Sequence, residues 1–191
     1  MANVTIRKYI NLFNKNLKSL SEDELIKLSQ KGNDDSFEEL MKIYKDYIYK
    51  MAFLYVKNEH DALDVCQETI LNAYLGISKL NNTEYFKTWI TKILINIVHN
   101  KNRYDNRFQN ISVEDITLEI PYEDIEAKLD LYDVIDTLED KYKTPIILQY
   151  FYDLPISNIA KIMECNENTI KSNIRRGKKK MYEQLKEDKY E

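Results

Sequence analysis

Asp61, Asp64, Gln67 and Glu68 stand three or four residues apart with no Lys or Arg between them. On a helix that spacing places them on one face, where like charges repel. Most charged helix faces are simply solvated; the sharper use of this one is docking against a basic partner surface. A second set, Lys92, Asn96, His99, Asn100 and Arg103, recurs at i, i+4, i+7, i+8 and i+11. Two permanent cations with amide and imidazole donors between them suit phosphates and base edges. Tyr85, Phe86 and Trp89 lie beside this stripe, and such rings can stack on unpaired bases. Helical spacing assigns Phe86 and Trp89 to the core and leaves Tyr85 open.

The third set is C-terminal. Ile156, Ile159, Ala160, Ile162 and Met163 read as a short helix, Glu164-Cys165-Asn166 as a tight three-residue connection, and the chain from about Glu167 as a second helix with Ile170 and Ile174 inward. Asn166 is a suitable N-cap. A short helix, a turn and a helix loaded with cations is a helix-turn-helix pattern. Asn168, Lys171, Ser172 and Arg175 near the second helix's start would meet base edges in the major groove, with Arg176, Lys178 and Lys179 on phosphates or flanking bases. The plainer alternative is a solvated amphipathic helix; the conjunction of turn, cap and cations favours the first.

Composition sets the frame for these sets. The chain has 191 residues with 28 Lys+Arg against 32 Asp+Glu, a formal net charge of -4. As a whole it is therefore no basic nucleic-acid binder, but the charge is unevenly placed. Eleven acids face one base between Ser112 and Asp140, and six bases face one acid between Asn166 and Tyr182. Such asymmetry marks a local polyanion-binding surface. Three Gly and three Pro argue against sandwiches, barrels and Gly-rich α/β folds. Cys66 and Cys165 are too few for a disulfide framework or a four-ligand zinc site, and two histidines supply no His-based metal centre. Both thiols sit at inward positions, which makes them buried and structural. No catalytic or cofactor site is expected. No run of about 18 apolar residues or secretory signal is read, which places the protein in the cytoplasm without membrane insertion.

Helices must then position the three sets. A first begins near Glu22, with Ser21 and Glu24 as a capping box. Phe37, Leu40, Met41, Tyr44, Tyr47, Ile48, Met51, Leu54 and Tyr55 form one apolar face. The helix from about His60 to Ile77 buries Ala62, Val65, Cys66, Thr69, Ile70 and Ala73. After a polar loop, Lys79 to Tyr85, a fourth buries Phe86, Trp89, Ile90, Ile93, Leu94 and Ile97. Pro121 and broken periodicity from Tyr104 to Glu123 read as a linker. Beyond it, Leu131, Val134, Ile135 and Leu138 precede a helix with Tyr142, Ile146, Ile147, Tyr150 and Phe151, in which Pro145 fits only within the first turn. The fold class is all-α: two small helical domains joined by an acidic linker. The expected boundaries are an N-terminal extension over 1–20, a first domain over 21–104, the linker over 105–124 and a second domain over 125–187.

With these motifs in order, the chain resembles the extracytoplasmic function (ECF) class of sigma factors in the sigma-70 family. DALDVCQETILNAY, 61–74, resembles region 2.2, FKTWITKILINIVHNKNRY, 86–104, regions 2.3 and 2.4, and LEDKYKTPIILQYFYDLPISNIAKIMECNENTIKSNIRRGKKKM, 138–181, region 4. The resemblance covers about Leu25 to Leu185. It implies an alternative sigma factor, not an enzyme, that binds core RNA polymerase through the β′ clamp helices and β flap and directs promoter-specific initiation in a stress response. It assigns Asp61, Asp64, Gln67 and Glu68 to polymerase. To the −10 element it assigns the loop around Leu80–Phe86 with Asn96, His99, Asn100 and Arg103. Thr169, Lys171, Ser172, Arg175 and Arg176 fall to the −35 element. It also implies an anti-sigma factor, often membrane-anchored, and an acidic linker that mimics DNA.

The sequence departs from the family at three places. Glu164 stands where Gly is usual, Gly177 where Ala is usual at a cost of up to about 1 kcal/mol of helix stability, and region 2.4 is less basic. The rival reading is a stand-alone helix-turn-helix regulator that binds operator DNA without polymerase. It accounts for 126–185 and leaves the first half unexplained.

Overall fold

The computed structural model describes residues 17, 19–105 and 125–187, with side chains withheld at 102–105 and 125–130. The expected linker lies outside the described residues except for Asp105, and so does the N-terminal extension except for Leu17, Ser19 and Leu20. The chain divides into two compact units, Met1–Glu114 and Asp115–Glu191. The first holds α1 (Glu22–Gln30), α2 (Asp34–Val56), α3 (Glu59–Gly76) and α4 (Phe86–Asp105); the second holds α5 (Ile125–Asp136), α6 (Asp140–Tyr150), α7 (Ile156–Ile162) and α8 (Glu167–Glu187). Among the described residues there is no strand.

Capping residues set where the first three helices begin. Ser21, Asn33 and Asn58 each accept the backbone N–H three residues on, at 3.3, 2.8 and 3.0 Å. The Glu24 carboxylate in turn accepts the Ser21 N–H at 2.9 Å, completing the expected capping box. Each such cap contributes about 1 kcal/mol. The apolar face of α2 is buried at Phe37, Leu40, Met41, Tyr44, Ile48, Met51 and Tyr55, with Tyr47 and Leu54 half-buried. Against it pack Leu25 and Ile26 of α1 and the small residues Ala62, Val65, Thr69 and Ala73 of α3. Thr69 returns its hydroxyl to the Val65 carbonyl at 2.7 Å, so the buried group is satisfied. Phe86 is fully buried, its ring 5.1 Å from that of Tyr44.

Four positions in the first unit depart from expectation, Ile70 among them as half-buried. Trp89 and Ile93 are half-buried, not core, because they face a groove between α3 and α4. Cys66 is also half-buried, and Cys165 in the second unit is the same. Burial pushes the Cys66 thiol up to about 11 and raises that of Cys165, which favours the protonated thiol in both.

In the second unit α6 continues through Pro145 in its second turn, not its first. The ring removes one intrahelical hydrogen bond. Tertiary burial compensates, since every residue from Tyr142 to Leu148 is buried. Lys143 is among them, its Nζ 2.7 Å from the Asp136 carboxylate at the end of α5. Gly177 is buried where α8 crosses α6. A Cβ there would stand 2.6 Å from Ile146 Cδ1 and 3.1 Å from Tyr142 Cβ. The glycine expected to weaken the helix is thus what lets two helices approach.

The ends of α1 and α7 are built alike. In each, the residue two beyond the helix turns left-handed and the next N–H closes on the carbonyl of the third-last helical residue. Asn33 N–H donates to Leu28 O at 3.1 Å and Cys165 N–H to Ala160 O at 3.1 Å. This is the Schellman geometry, and it favours glycine at the left-handed position. Gly32, at φ 84°, supplies it after α1, whereas after α7 the position is Glu164 at φ 52°. A side chain there costs about 1–2 kcal/mol, and a glycine gives part of that back as unfolded-chain entropy. Glu164→Gly is therefore expected to stabilise the second unit by about 0.5–1 kcal/mol and raise its melting temperature by about 3–6 °C. Thermal denaturation followed by circular dichroism checks this; a lowered transition would contradict the strain.

Candidate nucleic-acid interface

Within the first unit, α3 and α4 pack side by side and bring two of the sequence-defined stripes together. Asp64, Gln67 and Glu68 are exposed and Asp61 half-buried. The stripe is not unpaired, as its own helix suggested. Lys101 of α4 reaches across to Asp61, with its Nζ 3.8 Å from Asp64, and His60 Nδ1 lies 3.4 Å from Asp64 on the other side. Lys101 continues the inward stripe Ile90, Leu94, Ile97 at i+11, and a cation at the end of an apolar row is the signal that marks it. His60, Asp61 and Asp64 place ligand-type atoms within 4.8 Å of one another. The Lys101 ammonium already occupies the charge of those two acids and would repel a cation.

At the other end of the stripe, Glu68 lines a groove of about 380 Å³ with Asn72, Lys79, Trp89, Asn96 and Asn100. The indole of Trp89 lies against Gly76, where a Cβ would come within 3.2 Å. Glu68 of the acidic stripe and Asn96 and Asn100 of the amide stripe therefore share one groove, with an aromatic ring in its wall. Lys92 and His99 are half-buried; the Arg103 side chain lies outside the described residues. Tyr85, 41% exposed, stands at the start of α4, where the chain arrives from the short 3-10 turns Ile77–Lys79 and Thr83–Tyr85. That connection is tied to α1 by Gln30 and Asp23, two residues that pattern reading passed over.

In the second unit, α7 and α8 are separated by four residues, Met163 to Asn166, one more than expected. Asn166 is the cap: its Oδ1 accepts the Thr169 N–H at 2.8 Å and the Thr169 hydroxyl at 3.0 Å. Ile170 and Ile174 face inward, and Asn168, Lys171, Arg175, Arg176, Lys178 and Lys179 are exposed, with Ser172 half-buried. Lys171 lies 3.8 Å from Glu167 and Lys179 3.5 Å from Glu183 along the helix. Lys178 crosses to α6, donating to the Tyr150 hydroxyl at 3.1 Å with its Nζ 5.1 Å from that ring's centroid. The structure thus holds Lys178 by a neighbouring ring and shows Arg175 and Arg176 on the exposed face, a fork geometry suited to guanine edges and phosphates.

Residues 40–108 match the family Sigma-70 region 2 and residues 128–181 the family Sigma-70, region 4. The chain is 39% identical over 147 residues to the RNA polymerase sigma factor SigV of Bacillus subtilis (strain 168), covering 76% of this chain and 89% of that one. It is 30% identical over 178 residues to the ECF RNA polymerase sigma factor SigW of the same organism, covering 85% and 95%. Among solved structures, it is similar to the sigma factor RpoE solved in complex with the anti-sigma factor NepR from Bartonella quintana. That similarity has a TM-score of 0.67 at 21% identity, over 78% of this chain and 96% of that one. No described helix is long and apolar enough to cross a membrane.

Proposed function

The chain belongs to the extracytoplasmic function (ECF) class of the sigma-70 family and is an alternative RNA polymerase sigma factor; from that premise we propose how its surfaces divide the work. Residues 21–104 act as region 2 and residues 125–187 as region 4. Asp61, Asp64, Gln67 and Glu68 dock the β′ clamp helices of core polymerase. The connection around Leu80–Phe86, with Tyr85, Lys92, Asn96, His99, Asn100 and Arg103, captures the −10 element as single strand. Extruding a base costs a few kcal/mol, which pocket contacts and stacking offset. On α8, Asn168, Thr169, Lys171, Ser172 and Arg175 read the −35 duplex, and Arg176, Lys178 and Lys179 hold its phosphates.

The single observation that supports this division is the shared groove, which sets Glu68 of the docking stripe beside Asn96 and Asn100 of the reading stripe. An operator-binding regulator has no use for that juxtaposition. The solved relative RpoE was complexed with an anti-sigma factor. On that pattern we assign this chain a dissociable anti-sigma partner that releases it in a stress response in the cytoplasm. Modest affinity of the free chain for DNA fits its net charge of -4.

Run-off transcription on fragmented genomic DNA, with core polymerase in the presence and absence of the protein, tests the reading. Discrete transcripts that need both components are expected, and their start sites define the promoters. Duplex binding by the protein alone without new transcripts would refute it.

A further inference from the structure

We propose that α1 is a splint for the promoter-reading connection and that Gln30 and Asp23 are its positioning residues. This inference rests on the assignment of Leu80–Phe86 to the −10 element and goes on to say what holds that segment in shape. Gln30 is the last residue of α1. Its Nε2 donates to the Ile77 carbonyl at 3.2 Å and to the Leu80 carbonyl at 2.7 Å. An amide nitrogen carries two hydrogens, so one side chain satisfies two loop carbonyls at once. Two turns earlier on the same face, the Asp23 carboxylate accepts the Thr83 hydroxyl. Seven residues of α-helix span about 10.5 Å, and across that span α1 grips the connection at its first turn and again at its second.

The splint is itself anchored. The capping box fixes the start of α1, and Glu22 accepts the Tyr44 hydroxyl of α2 at 2.6 Å. Leu25 and Ile26 are buried beneath. At the far end of the connection Phe86 is buried between Tyr44 and Trp89, with ring centroids 5.1 and 5.6 Å away. Asn82 caps the second turn by accepting the Glu84 N–H at 3.0 Å. The segment is therefore held at its entry, middle and exit, with Tyr85 exposed between the last two. Loops that carry recognition work when a rigid scaffold fixes their backbone. Neither Gln30 nor Asp23 lies on the acidic stripe or on α4, so their removal should disturb promoter reading and leave polymerase docking alone.

The test uses the full chain with core polymerase and one promoter taken from the run-off transcripts, together with its single-base −10 variants. Gln30→Met keeps the shape and removes both donors from outside the connection; Thr83→Val, inside it, removes the hydroxyl that the Asp23 carboxylate accepts. Each is expected to leave core affinity within about twofold while discrimination between the promoter and its −10 variants falls about 5–20-fold, a range set by the loss of one or two positioning hydrogen bonds. A lower melting temperature with unchanged discrimination means a structural brace only and overturns the proposal. Asn81→Ala and Tyr85→Ala, placed in the connection itself, separate the two levels. If they alter discrimination and Gln30→Met and Thr83→Val do not, the splint fails and the reading segment stands. If none of the four alters it, the assignment of the segment to the −10 element fails and the splint with it.

Discussion

Leucine in place of Gly177 is expected to lower the stability of the second unit by about 3 kcal/mol. The alanine Cβ alone would enter to 2.6 Å of Ile146 Cδ1 and 3.1 Å of Tyr142 Cβ. Ile146 packs in one cluster with Leu138, Tyr142 and Met181, so displacing its terminal methyl disturbs their packing. Tyr142 Cβ can move only with the backbone of α6. Three further carbons have no room, so α8 must lift from α6. A unit of about 60 residues holds roughly 3–9 kcal/mol in all, and the substitution removes a third or more of it. Gly177→Ala pits about 1 kcal/mol of gained helix propensity against at least as much overpacking, so no rise in melting temperature is expected. The chain's one tryptophan, Trp89, lies in the first unit. Its fluorescence should report an unchanged transition while circular dichroism shows part of the helix melting about 12–24 °C earlier. Equal shifts in both signals, or none in either, would contradict a clash confined to the α6–α8 contact.

Glycine 177 also shows where reading the chain alone stops. A residue at helical spacing carries its propensity in its type, so Gly177 reads as a weak point. What it touches is a long-range contact across 31 to 35 positions, from Ile146 and Tyr142, that periodicity does not encode. Helix positions and inward faces were legible because burial repeats at 3.6 residues, and the caps at Ser21 and Asn166 because they need particular side chains at particular offsets. Both helical units and the helix-turn-helix follow from such local rules. The misreadings share the opposite cause. Trp89 is apolar and correctly spaced for the core, yet it lines a groove because α3 ends at Gly76 beside it. Pro145 looked confined to a first turn because its cost is local, whereas the burial that offsets it is tertiary. The acidic stripe looked unpaired because its cation, Lys101, comes from a helix 40 residues away in the chain from Asp61. Gln30 bonds to carbonyls 47 and 50 residues on, and no side-chain pattern marks a carbonyl.

The Lys101 contact makes the docking proposed for the acidic stripe testable apart from the fold. Asp61→Lys with Asp64→Lys is expected to weaken binding to core polymerase at least about 100-fold, or about 2.7 kcal/mol, since each reversal both removes a partner and opposes a charge. On its own that loss is ambiguous, because three lysines would then crowd one end of α3. Adding Lys101→Glu restores an ion pair between the two helices with its polarity inverted. The triple variant should melt like the parent chain and still fail to bind core. Lys101→Met acts in the other direction. Its side chain is 25% exposed and those of Asp61 and Asp64 are 40% and 53% exposed, so the pairing contributes no more than about 1 kcal/mol in water. Releasing both acids from that cation should therefore tighten core binding by up to about fivefold at low salt, and the gain should fade as added salt screens the stripe. Binding titrations against labelled core polymerase at two salt concentrations measure all three. A triple variant that binds as well as the parent would mean that Asp61 and Asp64 serve α4 alone, and that docking rests on Gln67 and Glu68.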